Sequence, residues 1–223
     1  MAEEESTSLE RVELVEGPEG LELRGESDQP GQGVRATPFL GLERSTGHPL
    51  TRILKNLQGP LIDATAGLGT DAGIAAAMGR DVLLIEINPR VHALLNDAIE
   101  RAEGEEHLRL AQRMHLMHGD ASQILRDLPE PYAHPAAVLL DPMFPTRKRQ
   151  SALPAKPMQH LRRVSGEDDQ GAILELLGAA AATRARRVIL KRPPESKIAH
   201  DALGPVTFSI ETKLLRWDVW ERG

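Results

Sequence analysis

From about residue 60 onward, short apolar runs alternate with stretches whose apolar residues recur at helical spacing. The short apolar runs within LIDATA, DVLLIEI, RMHLMHGD, AAVLLD and RRVILKR are predicted as strands. Between them, helices are predicted over TDAGIAAAMG, from Pro89 to about Gly104, over SQILRDL and from Ile173 to Thr183. Strands that alternate with helices predict an α/β fold with a mostly parallel, doubly wound sheet.

Two consecutive β runs, PVTFSIETK and LLRWDVW, close the chain. A short connection between them forces an antiparallel pair, so we expect the parallel sheet to end in an antiparallel hairpin. This arrangement resembles the Rossmann-like fold of class I methyltransferases, and at this stage the resemblance concerns the fold alone.

The first 48 residues follow a different pattern. The stretch VELVEGPEGLELR, Val12 to Arg24, alternates apolar and polar residues around a Gly-Pro turn and predicts a short β-ribbon. Gly25 to His48 is rich in Gly, Pro and Ser, which predicts irregular structure. We therefore divide the chain into an acidic N-terminal segment, residues 1–48, and a domain of the methyltransferase type, residues 49–223.

Charge is unevenly distributed along the chain. The net charge is −6, but residues 1–30 hold ten acidic and two basic side chains, a balance of −8, which leaves +2 for the rest. From residue 141 to residue 163, one acidic side chain stands against six basic ones. A local basic field attracts phosphate even on an acidic molecule, so a nucleic-acid partner remains compatible with the composition.

Several classes of protein are excluded or disfavoured. The chain has no cysteine, so disulfides and thiolate metal sites are excluded. The acidic start MAEEESTSLE lacks the order of an export signal, and no apolar run approaches the roughly 18 to 20 residues that span a bilayer. The eight histidines show no metal-ligand spacing on one face. We expect a cytoplasmic protein that needs no metal and no membrane.

Polar residues follow the predicted strands at their carboxyl ends, where parallel α/β sheets bind ligands. These residues are Asp63, Glu86, Asp120 and Asp141, and the first strand also leads into the turn of Gly67 and Gly69. The glycine spacing satisfies the loose G-x-G-x-x-G/A pattern of a nucleotide-cofactor loop, since glycine permits close approach of the backbone. The spacing alone does not choose the cofactor.

Two cofactor classes fit this loop. The pyrophosphate of a dinucleotide favours a helix N-terminus without a neighbouring carboxylate, whereas S-adenosylmethionine (SAM) carries a sulfonium and an ammonium that Asp63 or Asp71 would attract. Glu86 is placed to accept hydrogen bonds from ribose hydroxyls in either class. Asp120 is placed to meet the adenine amino group. We favour SAM, with a nicotinamide cofactor as the alternative.

The stretch DPMFP, Asp141 to Pro145, follows the fourth predicted strand. It resembles the [D/N]-P-P-[Y/F] motif of methyltransferases that act on planar amino nitrogens, with Met143 at the second proline. Such an amine is a poor nucleophile because its lone pair is delocalised; the Asp141 carboxylate and the Pro142 carbonyl would hold it facing the methyl group. We expect Phe144 to stack on the base and predict Asp141, Pro142 and Phe144 as the catalytic residues.

The stretches DATAGLGTDA, IEINPRV, LLDPMFP followed by a basic loop, and VILKRP together resemble the J-type family of small-subunit (16S) ribosomal RNA guanine-N2 methyltransferases. The resemblance runs from about Pro60 to Arg192. It implies transfer of a methyl group from SAM to the 2-amino group of a guanosine in small-subunit rRNA, as naked RNA or in the 30S subunit. With the family's cofactor positions carried over, the predicted cofactor site is Asp63, Ala64, Gly67, Gly69, Thr70, Asp71, Glu86, Ile87, Asp120, Ala121 and Asp141.

Basic residues near the motif are the candidates for RNA contact. We predict that basic side chains at the edge of the site bind RNA phosphate; these are Arg147, Lys148, Arg149, Lys191 and Arg192. Alternatively, Lys191 and Arg192 pair with Asp141 or with solvent. Other functional hypotheses remain open: methylation of a protein glutamine or a small amine, a nicotinamide oxidoreductase, and a non-catalytic RNA-binding module.

Overall fold

The structure is a computed structural model of the chain. It describes residues 11–40, 42, 46–145, 156–166, 168–196, 198 and 201–222, with the side chains of residues 156–158 left out. Within these residues no helix is long and apolar enough to cross a membrane.

The N-terminal segment begins with the predicted β-ribbon. Strands β1 (Val12–Gly17) and β2 (Gly20–Gly25) pair antiparallel, and Gly20 turns the chain between them with a φ of +113°. Residues 26–40 are irregular, apart from a bridge between Leu23 and Val34 and one 3-10 turn. They are nevertheless fixed, because the buried carboxylate of Glu22 accepts hydrogen bonds from the backbone N–H groups of residues 31 and 33 at 3.0 and 3.1 Å.

The centre of the fold is a seven-stranded sheet. Its strands are β3 (Leu61–Asp63), β4 (Val82–Glu86), β5 (Met114–His118), β6 (Ala137–Leu140), β7 (Arg187–Arg192), β8 (Phe208–Glu211) and β9 (Arg216–Glu221). They lie in the order β5-β4-β3-β6-β7-β9-β8, with β3 to β7 parallel to one another. Strand β9 runs antiparallel to both of its neighbours. The predicted fold class, a parallel sheet finished by an antiparallel hairpin, is confirmed.

Seven α-helices are described. They are α1 (Pro49–Leu54), α2 (Thr70–Ala77), α3 (Pro89–Glu100), α4 (Gly104–Ala111), α5 (Ala121–Ile124), α6 (Lys156–Ser165) and α7 (Gln170–Ala182). Two of them depart from the sequence-based expectation. The helix predicted to reach about residue 104 ends at Glu100, and α4 starts anew at Gly104, whose φ of +78° breaks the helical path. Helix α6 forms in a segment that we expected to be a basic loop.

The two faces of the sheet bury two apolar layers. Alternate strand residues point to opposite sides, so that Leu84 and Leu139 join the layer with α1 and α2, while Ile85 and Leu140 join the layer with α7. A third cluster joins Leu23 of the ribbon to α3 and α6. Because both faces are covered, the cavity-forming edge of the sheet is the one where the parallel strands end.

The last strands are tied together by a buried ionic network. Asp218 is 1% exposed and accepts hydrogen bonds from Arg192 Nε, Arg216 Nε and Ser209 Oγ, each at 2.6 Å. Burial alone would raise the pKa of Asp218, but these donors outweigh it and hold the pKa below its ordinary value.

Arg192→Ala should destabilise the protein far more than Arg216→Ala, although both side chains bind Asp218. The Arg192 side chain is 8% exposed and its loss leaves a buried carboxylate underpaired, a change that costs about 3–5 kcal/mol. Arg216 is 31% exposed, so its removal should cost about 1 kcal/mol or less. Urea unfolding of the two variants measures the difference; equal losses would contradict the buried network.

Candidate active site

A cavity of about 690 Å³ opens where the parallel strands end. Most of the predicted site residues line it: Asp63, Ala64, Gly67, Thr70, Asp71, Glu86, Ile87, Asp120, Ala121, Asp141, Pro142, Phe144, Lys191 and Arg192. The fold brings these positions together because the strand order places β3 between β4 and β6, with β7 beyond. Residues up to 129 positions apart in the sequence therefore line the same cavity.

The glycine turn after β3 is shaped by left-handed backbone. Gly67 and Gly69 have φ of +52° and +77°, and Gly69 is the residue that precedes α2. A Cβ on Gly69 would lie 2.7 Å from a methyl group of Leu95, so this glycine serves the packing of the turn. Gly69, unlike Gly67, does not border the cavity.

The N-terminal segment lies directly on this turn. Thr37 contacts Thr70 through their hydroxyl groups at 3.0 Å, and its backbone N–H donates to the Leu68 carbonyl at 2.8 Å. A Cβ on Gly73 would lie only 1.7 Å from the Pro38 carbonyl oxygen, so glycine is required for this approach. The segment before the sheet therefore supports the cofactor loop.

The carboxylate of Glu86 is engaged by backbone. It accepts from Gly67 N at 2.9 Å and from Asn88 N at 2.8 Å, and burial raises its pKa. These bonds occupy one lone pair on each oxygen and hold the carboxylate against the glycine turn. The neighbouring Ile87 is 62% exposed beside the cavity.

Asp120 has a structural bond as well. Its Oδ1 accepts from Ser122 N at 2.8 Å and caps α5, while its side chain remains at the cavity. Ala121 is buried below it. The arrangement leaves the second oxygen of Asp120 as an acceptor for a ligand.

Three carboxyl groups and one ammonium form the centre of the cavity. Lys191 Nζ lies 2.8 Å from Asp71 Oδ2 and 2.8 Å from Asp141 Oδ2. Asp63 is 3% exposed, and burial together with the neighbouring Asp71 charge raises its pKa to about 8. At neutral pH Asp63 therefore retains its proton, and the Lys191 ammonium lies between the other two carboxyl groups. Among the described residues, no group of His, Cys, Asp or Glu has a metal-binding arrangement.

The motif loop after β6 is rigidly held. Asp141 N donates to Thr65 Oγ1 at 2.6 Å, which ties the motif to the turn after β3. Phe144 N donates to the Pro142 carbonyl at 3.0 Å, closing a three-residue turn around Met143. Asp168 contacts Met143 twice: its Oδ2 accepts from Met143 N at 2.7 Å and its own N–H donates to the Met143 carbonyl at 2.8 Å.

Three predicted residues lie differently from expectation. Phe144 is 7% exposed and packs in the apolar layer, so only a small part of its ring borders the cavity rather than a free stacking face. Lys191 points into the carboxylate cluster. Arg192 is buried against Asp218 and donates to the carbonyls of residues 193, 194 and 196, so it does not form part of a surface rim. Arg147, Lys148 and Arg149 lie outside the described residues.

Other cavity residues were missed by sequence reasoning. Arg162 donates to the Phe144 carbonyl at 3.1 Å, and Asp168 holds Met143 as described above. His48 packs edge-on against Trp217 with ring centroids 5.9 Å apart, and both rings border the cavity. The sequence gives one hint of the role of Asp168. Met143 stands where the motif has a proline, and unlike proline it has a backbone N–H that needs an acceptor.

Known proteins resemble the chain in both sequence and structure. Residues 44–222 match the model of the family described as "Putative SAM-dependent methyltransferase". Relatives named ribosomal RNA small subunit methyltransferase J include one from Rhodopseudomonas palustris, 38% identical over 213 residues, which are 95% of this chain and 93% of that protein. Another, from Buchnera aphidicola, is 36% identical over 170 residues, 75% of this chain and 65% of that protein.

A solved structure extends the likeness. The crystal structure of a SAM-dependent methyltransferase from Neisseria gonorrhoeae superposes with a TM-score of 0.71 at 26% identity, covering 95% of this chain and 83% of that one. The predicted methyltransferase activity and the choice of SAM over a nicotinamide cofactor are confirmed by the family match. The chain belongs to this family of SAM-dependent methyltransferases, the one that includes the ribosomal RNA small subunit methyltransferases J.

Proposed function

We propose that this protein methylates the 2-amino group of a guanosine in small-subunit ribosomal RNA, in the cytoplasm. The observation that carries the proposal is the placement of Asp141 and Pro142 at the cavity, next to the carboxylate cluster. Relatives named for small-subunit rRNA methylation support the RNA substrate. The Asp-Pro-x-Phe sequence supports an amino nitrogen as the acceptor.

The cavity suits a cationic methyl donor. When bound, SAM supplies a methyl group activated by a positively charged sulfur. At the strand ends, three carboxyl groups (Asp63, Asp71 and Asp141) stand against the single ammonium of Lys191, and this excess of acidic groups favours a ligand with cationic groups. We assign Glu86 to the ribose hydroxyls and the second oxygen of Asp120 to the adenine amino group.

The motif loop suits a planar amine. Asp141 uses Oδ2 for Lys191, and no described residue donates to its Oδ1. The Pro142 carbonyl accepts from Phe144 N and retains a second lone pair. These two oxygens can accept both hydrogens of an amino group and so turn its lone pair toward the methyl carbon. The partly covered Phe144 ring would border the base, and Arg147, Lys148 and Arg149 are proposed to bind RNA phosphate.

Asp141→Ala should slow methyl transfer strongly while the protein still binds SAM. Loss of a positioning acceptor costs about 100- to 1,000-fold in kcat, by analogy with removal of one donor from an oxyanion site. The measurement is incorporation of labelled methyl into 30S subunits or rRNA from cells that lack the activity, followed by mass spectrometry of the nucleosides. Asp127→Ala, which removes an exposed carboxylate of the same type, is the control.

Undiminished labelling by Asp141→Ala would contradict the assigned role of Asp141. Label that resists nuclease and stays with protein would favour a glutamine substrate instead. Label found in a nucleoside other than guanosine would refute the proposed target.

SAM affinity should rise with pH and reach a plateau near pH 8. Free Asp63 retains its proton up to about pH 8, whereas a bound cation favours the ionised carboxylate, so binding releases a proton. The association constant should therefore increase by up to about tenfold per pH unit below that value. Calorimetric titration in buffers of different ionisation enthalpy measures both the affinity and the released proton. Asp63→Asn should make the affinity independent of pH over this range; an unchanged slope in that variant would contradict the assignment.

Asp168 should contribute to kcat only when residue 143 has a backbone N–H for it to accept. Met143 is the centre of a turn closed by Phe144 N and the Pro142 carbonyl, and its φ is not positive. Proline suits this turn, whose central φ is near −75°. Asp168→Ala should lower kcat by about tenfold through displacement of the motif loop. Met143→Pro should be nearly neutral and should suppress most of that loss in the double variant.

Asp169→Ala is the matched control for this cycle, because Asp169 caps α7 through Ala172 N but does not touch the motif loop. Its effect should not be suppressed by Met143→Pro. Additive effects of the Asp168 and Met143 substitutions would contradict the compensation.

A further inference from the structure

Lys191 occupies a position that the RNA-contact prediction does not explain. Its side chain is 15% exposed, and its ammonium lies at hydrogen-bond distance from carboxylates on two other elements. Asp71 belongs to α2, which follows the glycine turn, and Asp141 begins the motif loop after β6. One cation thus joins the part of the site that holds the methyl donor to the part that holds the acceptor.

The fold around Lys191 fixes its stem. Lys191 is the cross-strand partner of Trp217 in the pairing of β7 with β9, so the two side chains lie on the same face of the sheet. Trp217 is 3% exposed and is flanked by His48. With its stem beside a buried ring and two of its three N–H donors used by carboxylates, the ammonium has a defined position.

Asp141 needs such a partner to act as a hydrogen-bond acceptor. Burial raises the pKa of Asp141; Lys191 opposes this shift, and the Asp71 charge adds to it. Without the ammonium, the carboxylate would lose its ion pair and would still lie beside the charge of Asp71. If Asp141 were protonated, one of its oxygens would be a donor and could no longer accept a hydrogen of the substrate amine.

We propose that Lys191 is a positioning residue of the methyl-transfer step, which holds Asp141 by Oδ2 so that Oδ1 accepts a hydrogen of the substrate amine. This inference rests on the function proposed above. In the step, the amine lone pair forms the bond to the methyl carbon, and the electrons of the carbon–sulfur bond remain on sulfur as S-adenosylhomocysteine forms. The surplus proton of the amine leaves along its hydrogen bond to Oδ1 and passes to solvent.

The test compares Lys191→Met and Lys191→Arg with the wild-type protein. Lys55→Met, the same change at an exposed lysine outside the cavity, is the control. SAM titration counts the folded sites, and kcat and the KM for 30S subunits are measured per folded site at several salt concentrations. Lys191→Met should lose about 100-fold or more in kcat. Its KM for RNA should change little, and its SAM affinity should be equal or higher because a positive charge has been removed.

Lys191→Arg keeps the charge and should retain kcat within about tenfold of the wild type, a smaller loss than the neutral variant. A raised KM with a shallower salt dependence and an unchanged kcat in Lys191→Met would show a phosphate contact and overturn the proposal. Equal losses of kcat in the Met and Arg variants would also overturn it, and so would a loss of SAM affinity in Lys191→Met. Absence of guanosine methylation by the wild type would refute the proposed function instead.

Discussion

The ion pairs of Lys191 with Asp71 and Asp141 are the interaction on which the site depends. Carboxylates at the carboxyl ends of neighbouring parallel strands and in the first turn of α2 are forced into proximity by the sheet. Three acids so close together, with Asp63 and Asp71 largely buried, would repel one another or take up protons without a cation between them. Strand β7 supplies that cation as Lys191, and Asp63 retains a proton at neutral pH because burial and the Asp71 charge raise its pKa to about 8.

The cofactor loop depends on a second constraint, the close approach of the N-terminal segment. Pro38 lies against Gly73 at a distance that no other residue would allow, and Thr37 bonds to both ends of the turn that contains Gly69. This contact explains why α2 begins with small residues: the helix is covered on one side by the sheet and on another by the preceding chain. The irregular appearance of the segment in the sequence reflects this packing, because its backbone bonds go to the cofactor loop and to the Glu22 side chain, and it pairs with β2 only at the bridge between Leu23 and Val34.

Most of the parallel strands and their ends could be predicted from the sequence because each is an apolar run followed by a polar residue, a pattern set by burial; in β5 the run is interrupted by His115. The break between α3 and α4 was harder to see, since apolar spacing continues across it and only the left-handed Gly104 separates the two. Helix α6 was missed because its many charged residues are typical of a loop. Its Leu161 is nevertheless buried in the cluster that joins the β-ribbon to α3. Arg192 was misplaced for a related reason: the partner that buries it, Asp218, lies 26 residues away.

Met143 shows how a local departure from a motif is accommodated elsewhere in the chain. A proline at this position would present no donor, but methionine brings an N–H into a loop beside the cavity, and an unpaired buried N–H costs about 1–3 kcal/mol. Asp168 accepts that hydrogen and returns one of its own to the Met143 carbonyl. The turn around Met143 therefore keeps the shape that proline would impose, and Asp141 keeps its place beside Lys191. A comparison of motif residues one at a time misses this contact, because the geometry of the Asp-Pro-x-Phe loop also depends on Asp168, which lies just before α7.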